Sequence, residues 1–260
     1  MARLFPKPDL YFATTHRPRI AVRELHVPDS PDWLKGRIAL FASDFHLVSS
    51  MDPAPIAELM AGCGADLILL GGDYADERDQ SLKLFDAFRK LRAPLGIFAV
   101  CGNNDAETFD GFNALQAALD VFGARLLVNE SVSIPVDNGT LRLGGMDEYR
   151  YGKPDGKGLF SEDDGYRILL SHYPILPDCA CPPDLMLSGH THGGQFNLLG
   201  LTPYAIGFER IGRLGYLAPV MVSGFERFGR TALLVGMGIG ASRIPLRVGV
   251  RPEIYRIGFC

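Results

Sequence analysis

Cysteine, long apolar runs and excess positive charge are all scarce in this chain, and each scarcity excludes something. The 260 residues include five cysteines, Cys63, Cys101, Cys179, Cys181 and Cys260, an odd number at irregular spacing. That argues against a disulfide framework and for a reducing compartment. Cys179-Ala-Cys181 is too tight for the usual zinc pair. No apolar run reaches the ~18 residues of a membrane span. The opening MARLFPKPDLYFATTHRPR carries charges and prolines where a signal peptide would be continuously apolar. With Lys+Arg at 26 and Asp+Glu at 30, the formal net charge is -4, so a specific nucleic-acid partner, which would need a basic face, is not expected. A small phosphorylated substrate stays open, because bound metal would supply local positive charge.

What is there is the composition of a folded domain: 47% hydrophobic and 22% charged residues, enough to bury a substantial core. A loosely ordered arm over 1–18 and a single domain over 19–260 are expected. The expected location is cytoplasmic. Leu4, Phe5, Leu10, Tyr11 and Phe12, set among Arg and Lys, also allow the arm a peripheral membrane contact.

Apolar runs ending in polar residues predict strands at Arg19 to Val27, Ile38 to Ala42, Leu67 to Leu70 and Gly96 to Cys101. Helices are expected over Ala54 to Cys63, Gln80 to Leu91 and Thr108 to Phe122. This alternation predicts a largely parallel, buried sheet. Further on, strands are expected at Leu126 to Val136, Thr140 to Met146, Tyr166 to Leu170, Leu185 to Leu187, Val220 to Val222, Thr231 to Val235 and Glu253 to Ile257.

Five of these strands end alike, in Asp44-Phe45-His46, Gly72-Asp73, Gly102-Asn103, Ser171-His172 and Ser188-Gly189-His190-Thr191-His192. Ligands gather outside the carboxyl ends of strands in open α/β sheets, so these tips should converge. The convergent set is two carboxylates, Asp44 and Asp73, the amide of Asn103, and the imidazoles of His46, His172, His190 and His192. Carboxylate, amide oxygen and neutral imidazole together suit Mn, Fe or Zn rather than Ca. Each piece alone reads as a turn or a loop; the ordered set of five leaves too many polar groups at buried strand ends for a purely structural role.

That order, Asp44-x-His46, Gly72-Asp73, Gly102-Asn103-Asn104-Asp105, His172 and Gly189-His190-Thr191-His192, resembles the calcineurin-like metallophosphoesterase superfamily. Gly-His-Thr-His-Gly-Gly-Gln, then Gly238-Ile239-Gly240, Pro245-Leu246-Arg247 and Pro252-Glu253-Ile254, is similar to a bacterial phosphodiesterase branch of it. The resemblance implies an α/β fold, a four-layer αββα sandwich. It implies two divalent metal ions, Mn or Fe/Zn: one held by Asp44, His46, Asp73 and His192, the other by Asp73, Asn103, His172 and His190, with Asp73 bridging. It implies a phosphodiesterase or pyrophosphatase in which metal-bound hydroxide attacks phosphorus in line. Its substrates would be phosphoester small molecules, nucleotide-linked or lipid-linked, UDP-diacylglucosamine among them; a phosphomonoesterase is the alternative.

The sequence departs from the family where Gly-Asn-His-Asp is usual. Asn104 stands in place of the histidine that assists the leaving group, and an amide cannot deliver a proton. Asp105, which would orient that histidine, is expected to fix Asn104. A metal-binding scaffold without activity is therefore a competing expectation, although two-metal activation of water does not need the histidine. Arg243 and Arg247 are candidates for a phosphate clamp or for strand-edge positions. Tyr149, Tyr151 and Lys153 could form a lid, and Gln195 could support the last ligand motif.

Overall fold

The computed structural model describes residues 11–14, 18–162, 165–205 and 220–260. Its centre is built from strands whose every residue is buried, or nearly so. These are β3 (Ile38–Ala42), β4 (Leu67–Leu70), β9 (Tyr166–Leu170) and β10 (Leu185–Ser188). Strands of this kind, apolar but for Arg167 in β9 and Ser188 at the end of β10, need cover on both faces.

The first sheet has the order β2-β14-β3-β4-β5-β6, with β2 (Ala21–Val27), β5 (Ile97–Ala99), β6 (Ala124–Leu126) and β14 (Glu253–Phe259). All its neighbours are parallel except β14 and β3. The second has the order β11-β12-β10-β9-β8-β7, with β7 (Glu130–Val136), β8 (Gly139–Gly145), β11 (Gly224–Phe228) and β12 (Thr231–Val235). Phe41, Leu67, Leu69 and Ile257 of the first sheet share one core with Leu143, Ile168, Leu187 and Leu234 of the second. Alternate residues, Leu40, Ile68 and Leu70, point the other way onto Met60, Phe85 and Leu119 of helices α1 (Ala54–Gly62), α2 (Arg78–Ala87) and α4 (Phe112–Leu119). That alternation is the period-two signature of a strand covered on both sides. The outer face of the second sheet is covered differently. Leu159, Phe160 and Met221 lie there in loops, and no α-helix does among the described residues.

The chain departs from several expected elements for visible reasons. Of the helix expected over Thr108 to Phe122, Thr108 instead ends α3 (Asn103–Thr108) and α4 begins only at Phe112, because Phe109 is extended and Gly111 turns at φ 83°. Leu126 to Val136 divides into β6 and β7, which belong to different sheets; Asn129, at φ 50°, lies in the crossing between them. Val220 to Val222 is a bend, and the strand begins later, at Gly224. Two short strands escaped the apolar pattern: β1 (Phe12–Thr14) pairs antiparallel with β13 (Leu246–Val248). Part of the expected arm is thus paired; residues 1–10 and 15–17 lie outside the described residues.

Candidate metal centre

The chain leaves β3, β4, β9 and β10 through turns that aim polar side chains back at one another. Asp44, His46, Asp73, His190 and His192 all have positive φ, between 37° and 68°. Side-chain-bearing residues seldom hold that conformation, and such strain clusters at functional sites. Two glycines permit the close approach. A Cβ on Gly102 would lie 2.1 Å from Asp73 Oδ1, and one on Gly189 would lie 2.3 Å from Asp44 Oδ2.

All seven candidate ligands meet in this cleft. Asp44, His46, Asp73, His172 and His192 are buried. Donor atoms of Asp44, His46 and His192 lie within 4.8 Å of one another, as do those of Asp44, Asp73 and His172. Asp73 Oδ2 lies 3.4 Å from His46 Nε2 and 3.4 Å from His172 Nε2. His192 Nε2 lies 3.6 Å from Asp44 Oδ1. His190 Nδ1 is 3.1 Å from Asn103 Oδ1 and 3.3 Å from His172 Nε2, and its ring stacks on Tyr173 at 3.8 Å.

The hydrogen bonds behind these rings assign their tautomers. His46 Nδ1 donates to Asp76 Oδ1 at 2.6 Å, and His172 Nδ1 donates to the Gly71 carbonyl at 2.7 Å. The neutral rings therefore turn Nε2 lone pairs toward the same carboxylate oxygen of Asp73. Lone pairs facing an anion repel unless a cation or extra protons lie between them. His46 Nε2, although buried, makes no hydrogen bond. Against the opposing effect of burial, the Asp73 and Asp76 carboxylates push the His46 imidazole up to about 10, and Asp73 does the same for His172, to about 10. Burial would raise Asp73, but the two imidazoles hold it well below the usual carboxylate range. The carboxylates favour positive charge between themselves and the Nε2 atoms, as protons on the rings or as a bound cation, and the set of nitrogen and oxygen donors fits divalent cations.

Asp105 does not fix the Asn104 side chain. Its carboxylate accepts the backbone N–H groups of Asp73 at 2.8 Å, Tyr74 at 3.0 Å and Gly102 at 2.8 Å, tying the β4 tip to the β5 tip. Burial, with Asp73 nearby, raises its pKa to about 7 despite those three donors. Asn104 instead donates its amide to Asp76 Oδ1 at 2.6 Å and accepts from Asn103 Nδ2 at 2.7 Å, so both ends of the amide are engaged. Its backbone N–H donates to Asp73 Oδ1 at 2.9 Å.

Three residues at the site had not been singled out for the part they play. Asp76 orients both His46 and Asn104; its signal was a second carboxylate three residues after Asp73. Tyr173 forms the wall behind His190. Arg247 is wholly buried rather than at an exposed edge. It donates to the carbonyls of Gly240 at 2.6 Å and Met237 at 2.7 Å, and its Nη2 lies 3.2 Å from His192 Nδ1. With its donors turned to backbone carbonyls and to the His192 ring, it is not a substrate clamp. Gln195 bonds Ile244 and Leu246 carbonyls and the Ser242 N–H, bracing the loop that leads to Arg247. The Gly238-Ile239-Gly240 turn closes on the first ligand loop, with Ile239 and Gly240 N–H donating to the Asp44 carbonyl.

The model of the family described as calcineurin-like phosphoesterase matches residues 39–194, the stretch that carries every one of these candidate ligands. The chain belongs to that family. It is a metal-dependent phosphoesterase, of a family that uses divalent metal ions and acts on small phosphoester substrates. This phosphoesterase is 30% identical over 258 residues to the metallophosphoesterase YkoQ of Bacillus subtilis, covering 95% of this chain and 93% of that one. It is 33% identical over 232 residues to the phosphodiesterase YaeI of Escherichia coli, covering 83% and 79% respectively. A zebrafish transmembrane protein with a metallophosphoesterase domain is 27% identical over 261 residues, 92% of this chain but 57% of that one. Among the described residues of this chain no helix is long and apolar enough to cross a membrane.

Proposed function

We propose that the enzyme is a dinuclear phosphodiesterase or pyrophosphatase of the bacterial branch with the Gly-His-Thr-His-Gly-Gly-Gln motif. The observation that carries this reading is Asp73 Oδ2 lying 3.4 Å from two Nε2 atoms whose rings are pinned from behind. An oxygen so placed suits a bridge between two cations. Asp44, His46, Asp73 and His192 would hold one, and Asp73, Asn103, His172 and His190 the other, with Mn or an Fe/Zn pair suited to the donors. When bound, such a pair supplies Lewis acidity to the phosphoryl oxygens and lowers the pKa of water for in-line attack.

The chain's own residues set the rest. Asp76 and the Gly71 carbonyl keep the ring protons of His46 and His172 on Nδ1. Asn104, engaged at both ends, offers no proton to a departing alkoxide. Leaving groups that depart as stable anions, such as phosphates and acidic phenols, are therefore favoured, which suits a pyrophosphate or an activated diester. The name of the Escherichia coli relative supports diester over monoester. Nucleotide-linked and lipid-linked pyrophosphates are the substrate classes to try. Assay of an aryl diester, an aryl monoester and a nucleotide sugar with added Mn tests the reading. Diester and pyrophosphate turnover is expected to exceed monoester turnover; the reverse order would make the enzyme a phosphomonoesterase.

A further inference from the structure

Strand β13 is half-buried on one face and reaches the metal centre with the other. Arg247, at its middle, points inward to His192. Its register partner Ala13 shares that inward face, so Phe12, paired with Val248, faces outward. On the other side of β13, Phe196 bridges Val248 in parallel and Asn197 N–H donates to the Val248 carbonyl. Phe196 and Leu198 therefore face outward too, while Asn197 is buried. Leu198 and Leu201 close a tight hairpin just beyond.

The result is a small apolar platform. Among the described residues the five most exposed large hydrophobics are Phe12 at 75%, Leu198 at 63%, Leu199 at 94%, Leu201 at 57% and Ile244 at 55%. All belong to this platform or to the loop leading into β13. Single exposed leucines are ordinary; five gathered at one place mark an interaction surface. The stretches of chain that carry them hold charge of one sign. No Asp or Glu occurs in 11–23, 190–205 or 236–252, although the chain holds 30 of them. Arg19, Arg243 and Arg251 are exposed in those same stretches.

We infer that this platform docks the enzyme on an anionic lipid bilayer, with Phe12, Leu198, Leu199, Leu201 and Ile244 entering the acyl boundary and the arginines meeting headgroups. Bulky apolar tips on stretches that carry arginine and no carboxylate match an anionic interface, whereas the chain as a whole, at -4, would be repelled by it. The arm was the segment where sequence placed a membrane contact; the structure adds two loops far along the chain and makes Phe12 only one edge of the surface. Docking here would bring the His192 side of the cleft near the interface. The inference is read by binding, without turnover, so it stands or falls apart from the choice of substrate.

The test uses the full chain, purified with its metal, and vesicles of phosphatidylcholine with or without phosphatidylglycerol. Pelleting with the anionic vesicles is expected, and much less with the neutral ones. Each of Leu198→Ser, Leu199→Ser and Ile244→Ser should weaken partitioning by about tenfold, the cost of withdrawing one aliphatic side chain from an apolar phase. Arg243→Glu should weaken it about fivefold or more, on anionic vesicles only, and salt should mimic that change. The three serine variants alter exposed side chains outside the candidate ligand set, so their hydrolysis of a soluble aryl phosphoester should hold, and an unchanged thermal midpoint in all four variants would show that they fold. Failure of the wild type to pellet with any vesicle, or equal pelleting of wild type and variants, would overturn the inference. So would a wild-type dimer in sedimentation velocity that the serine variants convert to monomer, since a second copy would then be the occupant.

Discussion

Replacing Asp76 by alanine probes the centre without touching a candidate ligand. The carboxylate accepts the His46 Nδ1 proton at 2.6 Å and the Asn104 amide at 2.6 Å, and its side chain is 45% exposed. Burial works against its charge, but the His46 imidazole and the Asn104 amide hold its pKa below the ordinary value. A hydrogen bond to a charged group contributes ~1.5–3 kcal/mol, and half-exposure to water trims that to ~1–2 kcal/mol here. Without its acceptor the ring is free to rotate or change tautomer, and Nε2 is no longer held toward Asp73. The cation on the His46 side should then bind ~10-fold more weakly, within the range seen when such supporting partners are lost. The His172 side, pinned by the Gly71 carbonyl, should change little. Calorimetric titration of chelator-stripped protein with Mn would resolve the two steps. Asp76→Asn keeps an acceptor oxygen and should show a smaller loss. An unchanged first step, or equal weakening of both, in a variant with the wild-type melting temperature would refute this account of Asp76.

Gly102→Ala should expel metal and lower the melting temperature, because its Cβ would fall 2.1 Å from Asp73 Oδ1; overpacking of this kind costs ~1–3 kcal/mol, measurable by denaturant unfolding. Asp105→Asn should destabilise by ~3 kcal/mol, since one carboxylate oxygen accepts two N–H groups that an amide nitrogen would face, and unfolding midpoints would report it. Asn104→His should flatten the dependence of rate on leaving-group pKa and raise turnover mainly on alkyl esters; an unchanged slope in a fully metallated variant would refute the missing-acid reading. Burial raises the Tyr149 phenol from 10.0 to about 12. A neutral form favoured by folding stabilises below the unfolded pKa and is lost as pH rises through the folded one. Urea midpoints should therefore fall between pH 10 and 12, less steeply in Tyr149→Phe, and an identical slope would show that Tyr149 does not contribute.

The central strands were legible because Ile38–Ala42 and Leu67–Leu70 are apolar throughout, Tyr166–Leu170 is apolar but for Arg167, and all three end in polar turns. The convergence of the candidate ligand tips was legible for the same reason, since an Asp or a His at the end of a buried strand has few uses in packing. Elements defined by pairing rather than by pattern were hidden. Phe12–Thr14 and Leu246–Val248 are three residues each and have an apolar face turned to solvent, so no period marks them. The switch of sheet between β6 and β7 was invisible because both flanks are strands and nothing local fixes which neighbour each will take. Arg247 read as a surface cation because its partners are backbone carbonyls, which leave no trace in sequence. Asp105 misled for a related reason: its partners are backbone N–H groups on another strand.

Strand β14 lies between β2 and β3, and among the described residues β2 has no other neighbour in its sheet. Residues 21–27 therefore cannot be paired until residues 253–259 exist. During ribosomal synthesis the first strand of this sheet must wait for more than two hundred later residues to emerge, with its hydrogen-bonding edges unfilled. Such distant pairing is slow and leaves the nascent chain open to aggregation or chaperone capture. The turn that closes on Asp44, and Arg247 behind His192, also arrive late. Loading of the cleft with metal is thus expected to follow near-completion of the chain rather than accompany its growth.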